Sequence, residues 1–92
     1  MTPILKAANL GPKSAAWLNE IGITSLEDLH CLGSIEVMLR LKQAGIPVSL
    51  NLLYALEGAL EGRHWQDVRR ELKAELVLMW DAALSLDIRQ KL

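Results

Sequence analysis

Cysteine is nearly absent from this chain of 92 residues: Cys31 stands alone, so no internal disulfide can form. No apolar stretch follows a basic start at the N-terminus, so a secretory signal is not expected and a cytoplasmic location is. The longest unbroken apolar runs, such as Leu76 to Trp80, fall far short of the roughly 20 residues that cross a bilayer. Strand-like alternation and Asn-Gly or Asp-Gly hairpins are missing, which excludes most sheet-based enzyme folds. Low-complexity tracts and clear internal repeats are missing too. Neither sign of charge dominates, since the formal net charge is −1 and the pI about 6.1. Bulk electrostatics alone would not coat such a chain onto DNA or an acidic membrane, and any contact with an anion has to be local.

Familiar catalytic patterns are equally scarce. A phosphate loop with Gly-Lys-Ser/Thr and a dinucleotide glycine fingerprint do not occur. His30 and Cys31 are adjacent, but consecutive helical positions point about 100° apart, so they are poorly placed as a base and nucleophile pair; Cys31 reads as a small core residue. His64, beside Trp65, lacks a carboxylate or cysteine at ligand spacing and reads as a packed or capping imidazole rather than a metal ligand. Carboxylates are scattered over solvated faces, with no pair in an apolar setting that would raise one pKa for acid catalysis. A non-enzymatic protein without metal or cofactor is expected.

What the chain does have is helix punctuation. Hydrophobic residues make up 51% of it, and helix signals recur about every dozen residues with short connections between them. The expectation is all-α: a small bundle of five to six short helices in one domain over residues 1–92, large enough for a single core. A first short helix begins near Pro3 and carries Ile4, Leu5 and Ala8 inward. A second runs from Pro12 to Ile21 with Ala15, Leu18 and Ile21 on its inner face, stopped by Gly22. Thr24 with Glu27 forms a capping-box pattern for a third, whose Leu26, Leu29 and Leu32 face the core before Gly33. Ser34 caps a fourth, Ile35 to Ala44, burying Val37, Leu41 and Ala44, with Gly45 closing it.

After Ile46-Pro47, a pair that resists helix, Ser49 begins a fifth helix through Leu50, Leu53, Leu56 and Leu60 to Gly62. Gly58 inside it costs about 1 kcal/mol relative to alanine, which predicts close approach by a neighbouring backbone or a bulky ring such as Trp17 or Trp65. The last helix runs from about Asp67 to about Leu86 with Leu72, Leu76, Met79, Ala83 and Leu86 on one face, and Asp87 and Lys91 can pair if it continues. Around Leu76, Val77, Leu78 and Trp80 it is apolar nearly all round, as helices buried on several sides are. A homodimer through Leu76, Val77 and Trp80 is expected. The alternative is that Val77 and Trp80 cover a long side of the domain's own core.

The stretch Asn9-Leu10-Gly11-Pro12-Lys13-Ser14, continuing through Ile21-Gly22-Ile23 to Leu26-Glu27-Asp28-Leu29, resembles a helix-hairpin-helix module, which grips a nucleic-acid backbone through main-chain N–H groups. Gly11 can adopt a positive φ, and Pro12 sits at a first helical position with no N–H to lose. The helix N-terminus carries partial positive charge, and Lys13 adds a full one. The candidate nucleic-acid-binding residues are therefore Asn9, Leu10, Gly11, Lys13 and Ser14, with plain helix initiation as the competing reading. Arg63, Arg69, Arg70 and Lys73 form a second basic cluster, to be weighed against a solvated face balanced by Glu71 and Glu75.

With Gly45-Ile46-Pro47-Val48-Ser49-Leu50-Asn51-Leu52-Leu53-Tyr54-Ala55-Leu56-Glu57-Gly58-Ala59-Leu60 and Gly62-Arg63-His64-Trp65 added to those segments, residues 9–65 resemble the C-terminal domain of the TfoX/Sxy family, bacterial regulators of competence for DNA transformation. The resemblance implies a small helical domain with a regulatory, non-enzymatic role. In better-known members this domain follows another, and the pair acts with the cyclic-AMP receptor protein at competence promoters. The partners it implies are DNA, a transcription regulator, or a separate TfoX N-terminal domain. Where the hairpin usually reads Gly-x-Gly, Asn9 takes the first glycine's place, and asparagine tolerates left-handed backbone better than most residues. Two functions stand side by side: a regulatory domain that touches nucleic-acid backbone, or a protein-interaction and dimerisation module that docks a transcription regulator without direct DNA contact.

Overall fold

The computed structural model describes the backbone of residues 2–91 and the side chains of residues 2–90. The Asp87–Lys91 pair expected from the sequence thus lies outside the described side chains. A 3-10 turn at Ile4–Lys6 precedes five α-helices: α1 (Pro12–Glu20), α2 (Leu26–Leu32), α3 (Ser34–Gln43), α4 (Leu50–Glu61) and α5 (Trp65–Lys91). The architecture is the small all-α bundle that the sequence predicts, without a named strand among the described residues. Among the described residues no helix is long and apolar enough to cross a membrane.

α4 is the spine of the core. Its leucine-rich sequence buries Leu52, Leu53, Tyr54, Leu56, Gly58 and Ala59, so three sides of the helix are covered at once. α5 packs along it through Val68, Leu76 and Trp80, while Val37, Met38 and Leu41 of α3 and Leu29 of α2 close the remaining side. Burying each large aliphatic side chain contributes about 1.5–3 kcal/mol, and this run supplies most of the driving force for the domain. Gly62, in the left-handed region at φ 68°, ends α4, and the Arg63 N–H returns to the Gly58 carbonyl at 2.9 Å.

Several local expectations shift by a residue, each for a physical reason. The opening segment buries Ile4, Ala7 and Leu10 and leaves Leu5 and Ala8 exposed, because a 3-10 turn repeats every three residues rather than 3.6. The capping box of α2 is Ser25 with Asp28, not Thr24 with Glu27. The Asp28 N–H donates to Ser25 Oγ at 3.1 Å and the Ser25 N–H to Asp28 Oδ2 at 3.2 Å. Glu27 instead accepts from the Thr2 N–H at 2.7 Å. Ser34 does not cap α3: Gly33 precedes that helix, and the Ser34 hydroxyl donates to Glu57 Oε1 at 2.7 Å. Ala44, beyond the last turn of α3, is exposed, and so is Leu50 at the start of α4.

α5 departs most. Its inner face is Val68, Leu72, Leu76, Trp80, Ala83 and Leu84, ending at the buried Asp87, whose carboxylate accepts from the Gln43 amide Nε2 at 3.0 Å and faces Lys42 Nζ at 3.8 Å. Met79 and Leu86, expected inside, are exposed. Trp80, with the larger apolar area to bury, takes the inward position that Met79 would otherwise hold, and the two lie about 100° apart on the helix.

Candidate nucleic-acid interface

The corner before α1 is built by Asn9. It is the one non-glycine residue at positive φ among those described (69°), the left-handed conformation that asparagine tolerates. Its side chain is a clip: Nδ2 donates to the Arg63 carbonyl at 2.7 Å, and Oδ1 accepts from the Trp65 N–H at 3.1 Å. Arg63 lies in the turn after α4 and Trp65 opens α5, 54 and 56 residues along the chain. This explains Gly58. A Cβ there would stand 2.5 Å from Asn9 Nδ2 and 2.6 Å from the Arg63 carbonyl oxygen, so the close neighbours are an amide and a backbone carbonyl, not the rings of Trp17 or Trp65.

Gly11 then sits in an extended conformation (φ −99°, ψ −175°) as the N-cap of α1, and the expected positive φ belongs to Asn9 instead. The first helical hydrogen bond runs from the Ala15 N–H to the Gly11 carbonyl at 2.9 Å. Pro12 has no N–H, and no side chain caps the helix, so the amides of Lys13 and Ser14 are the donors left open. α2 and α4 differ in that Ser25 and Ser49 close their first turns. Gly11, Pro12 and Lys13 are exposed and Ser14 is half-buried.

Two of the five residues expected at this site serve the fold instead. The Asn9 side chain is engaged by the α4–α5 turn, and Leu10 is a core residue only 6% exposed. Gly11, Lys13 and Ser14 remain together at the open end of α1.

The surroundings include groups that sequence reasoning missed. Lys13 Nζ lies over the Trp17 ring, 5.1 Å from its centroid, a cation–π contact worth about 0.5–1 kcal/mol at an exposed position. Their spacing of four along a helix is the signal that could have revealed it. Beside them a shallow depression of about 330 Å³ is lined by Lys13, Ser14, Trp17, Ser49, Asn51 and Trp65. α1 and the start of α4 therefore flank one concavity, and only the fold brings them together. The His64 imidazole stacks on Trp65 with ring centroids 5.8 Å apart, and its Nδ1 accepts from the Gln66 N–H at 3.1 Å, the capping role expected of it.

The second basic cluster is partly neutralised. Arg63 pairs with Glu61 and Glu71, and Arg70 with Asp67 at 2.6 Å. Arg69 and Lys73 are exposed and enter none of the ion pairs among the described residues. Cys31 is exposed rather than in the core. One carboxylate pair does lie in a partly apolar setting: burial raises the Glu57 carboxyl above the usual range, and the hydrogen bond from Glu57 holds Glu61 below it. Neither lines the depression beside α1, and Ser34 and Arg63 account for their remaining contacts.

The apolar girdle of α5 also resolves. Leu76 and Trp80 are 4% and 7% exposed, inside the chain's own core, whereas the half-buried Val77 keeps part of its side chain at the surface. The surface-exposed apolar positions of this segment are Leu78 and Met79.

Comparison with known proteins matches residues 1–79 to the family model described as the TfoX C-terminal domain. No curated protein matches the chain. It is similar to a solved structure, the triclinic crystal form of an uncharacterized protein from Listeria monocytogenes, at 29% identity and a TM-score of 0.74, covering 94% of each chain.

Proposed function

The chain belongs to the TfoX C-terminal domain family, and from that membership and the open end of α1 we propose a non-enzymatic regulatory domain of DNA transformation that holds nucleic-acid backbone weakly through the Lys13 and Ser14 amides and the Lys13 ammonium. The observation that carries this reading is the uncapped N-terminus at Gly11. Two unpaired amides at the positive end of a helix dipole, with a lysine beside them, match the chemistry of a phosphate oxygen. The Asn9 clip adds rigidity, since it fixes the corner to the α4–α5 turn before any ligand arrives.

Such contacts give affinity with little sequence information, because every phosphate looks alike. With a net charge of −1 and one local cation, a single domain holds DNA weakly, and two copies acting together hold it better. Titration of duplex DNA at low and moderate salt, with wild type and Lys13→Glu, tests the reading. The variant is expected to bind more weakly and to lose roughly 1 from the slope of log affinity against log salt. Identical affinity and slope in the two proteins would contradict it and leave the protein-docking role.

A further inference from the structure

We propose that two copies of this chain pair antiparallel through the outer face of α5, crossing at Ala82. Leu78, Met79 and Leu86 are 72%, 52% and 56% exposed on that helix, whereas Leu76 and Trp80 beside them are buried. At 100° per residue, Glu75, Leu78, Met79, Ala82, Ser85, Leu86 and Arg89 fall within an arc of about 120°. The inner residues of the same stretch, Leu72, Leu76, Trp80 and Ala83, all fall outside that arc. It is an apolar stripe with an acid at one end and a base at the other.

The order of residues in that stripe selects the partner. Turned end for end about Ala82, the stripe meets itself with Leu78 opposite Leu86, Met79 opposite Ser85, and Glu75 opposite Arg89, each pairing made twice by two-fold symmetry. Neither Glu75 nor Arg89 takes part in an ion pair among the described residues, so both are available. Parallel pairing would set Glu75 against Glu75 and Arg89 against Arg89, which like-charge repulsion disfavours. Ala82 at the crossing lets the axes approach within the ordinary 8–10 Å of packed helices. From Glu75 to Arg89 the stripe is about 21 Å long. A contact of that length belongs to the small interfaces below about 1,200 Å² in total, so the dimer forms and dissociates with concentration.

The proposal names the surface for the cooperation between copies invoked above, and its test needs no DNA. Sedimentation equilibrium of the full chain over a hundredfold range of concentration should show the mass rising from 10.2 kDa toward twice that value. Leu78→Asp, an exposed change that leaves the core intact, should hold the mass at the monomer value. Glu75→Arg and Arg89→Glu should each weaken dimerisation about tenfold, and the two together should restore it. In a Cys31→Ser background, Ala82→Cys should form a disulfide-linked dimer on mild oxidation, and Asp81→Cys should not. A constant monomer mass, a dimer indifferent to Leu78→Asp, or a charge reversal that fails to rescue would each overturn the proposal. If the DNA reading alone is wrong, the mass still doubles while no variant binds DNA.

Discussion

Asn9 and Gly58 work as one device. The asparagine occupies a left-handed backbone position that most side chains avoid, and its amide fits against α4 only because residue 58 has no Cβ. Gly58→Ala brings a methyl group against a backbone carbonyl that cannot step aside, so a loss of about 1–3 kcal/mol is expected despite alanine's better helix propensity. Asn9→Gly keeps the backbone conformation but strands the Arg63 carbonyl and the Trp65 amide, at about 1–2 kcal/mol. Urea denaturation of the two single variants and the double should give a combined loss smaller than the sum, because both remove the same contact. Additive losses would show that the two residues act separately.

At Gly11, stability and the proposed nucleic-acid contact pull in opposite directions. Its backbone is extended and a Cβ would meet nothing within 4 Å, so serine fits there without strain. The hydroxyl could accept from an α1 amide, as Ser25 and Ser49 do in their own helices. Gly11→Ser is expected to raise stability by a few tenths of a kcal/mol and to weaken DNA binding. Thermal denaturation and DNA titration of the same sample check both halves; a serine variant that binds DNA as well as wild type would show that the open amides are not the contact.

At the level of helices, the stop and start signals were the most legible part of the sequence. Gly22, Gly33, Gly45 and Gly62 end turns as expected, and Ser49 caps α4 through the Leu52 amide. Local chemistry decides these positions, and local chemistry is what a sequence displays. The α2 cap was displaced by one residue because Thr24-Ser25 and Glu27-Asp28 offer two boxes in overlapping register. Ser25 is fully buried and pinned beside the bridge to Pro3, a tertiary fact invisible in the segment. Similarly, which of Met79 and Trp80 turns inward on α5 depends on the surface that α4 presents.

The cap of α2 also carries a pH signature. The backbone hydrogen bond from Thr24, opposed by desolvation and aided by bonds from Ser25 and Thr24, holds Asp28 below the ordinary aspartate value of 3.8. A depressed folded pKa contributes stability above the unfolded value, and that contribution disappears as pH falls through the folded one. Wild type should therefore exceed Asp28→Asn in urea midpoint at neutral pH, and the difference should close as the pH falls below about 4. A gap that persists into acid would mean that the cap acts through its neutral hydrogen bonds alone.

For the molecule as a whole, the all-α class and family membership were readable from residues 9–65, since the helical punctuation and the Pro47 to Gly58 block are contiguous in sequence. The site was half readable. Gly11, Lys13 and Ser14 announce themselves as a helix start, whereas the clip that turns Asn9 inward and the approach of Trp65 and Ser49 to α1 join segments dozens of residues apart. The near-neutral charge further implies that contact with an anion is confined to places where donors are left unpaired, and the end of α1 is one of these.

Amide chemical shifts of the ¹⁵N-labelled protein, followed during addition of a short duplex DNA at low salt, test that idea directly. The largest changes are expected at the Lys13 and Ser14 amides, fading as salt is added. Shifts confined to Arg69 and Lys73, or none at α1 while DNA binds, would contradict it.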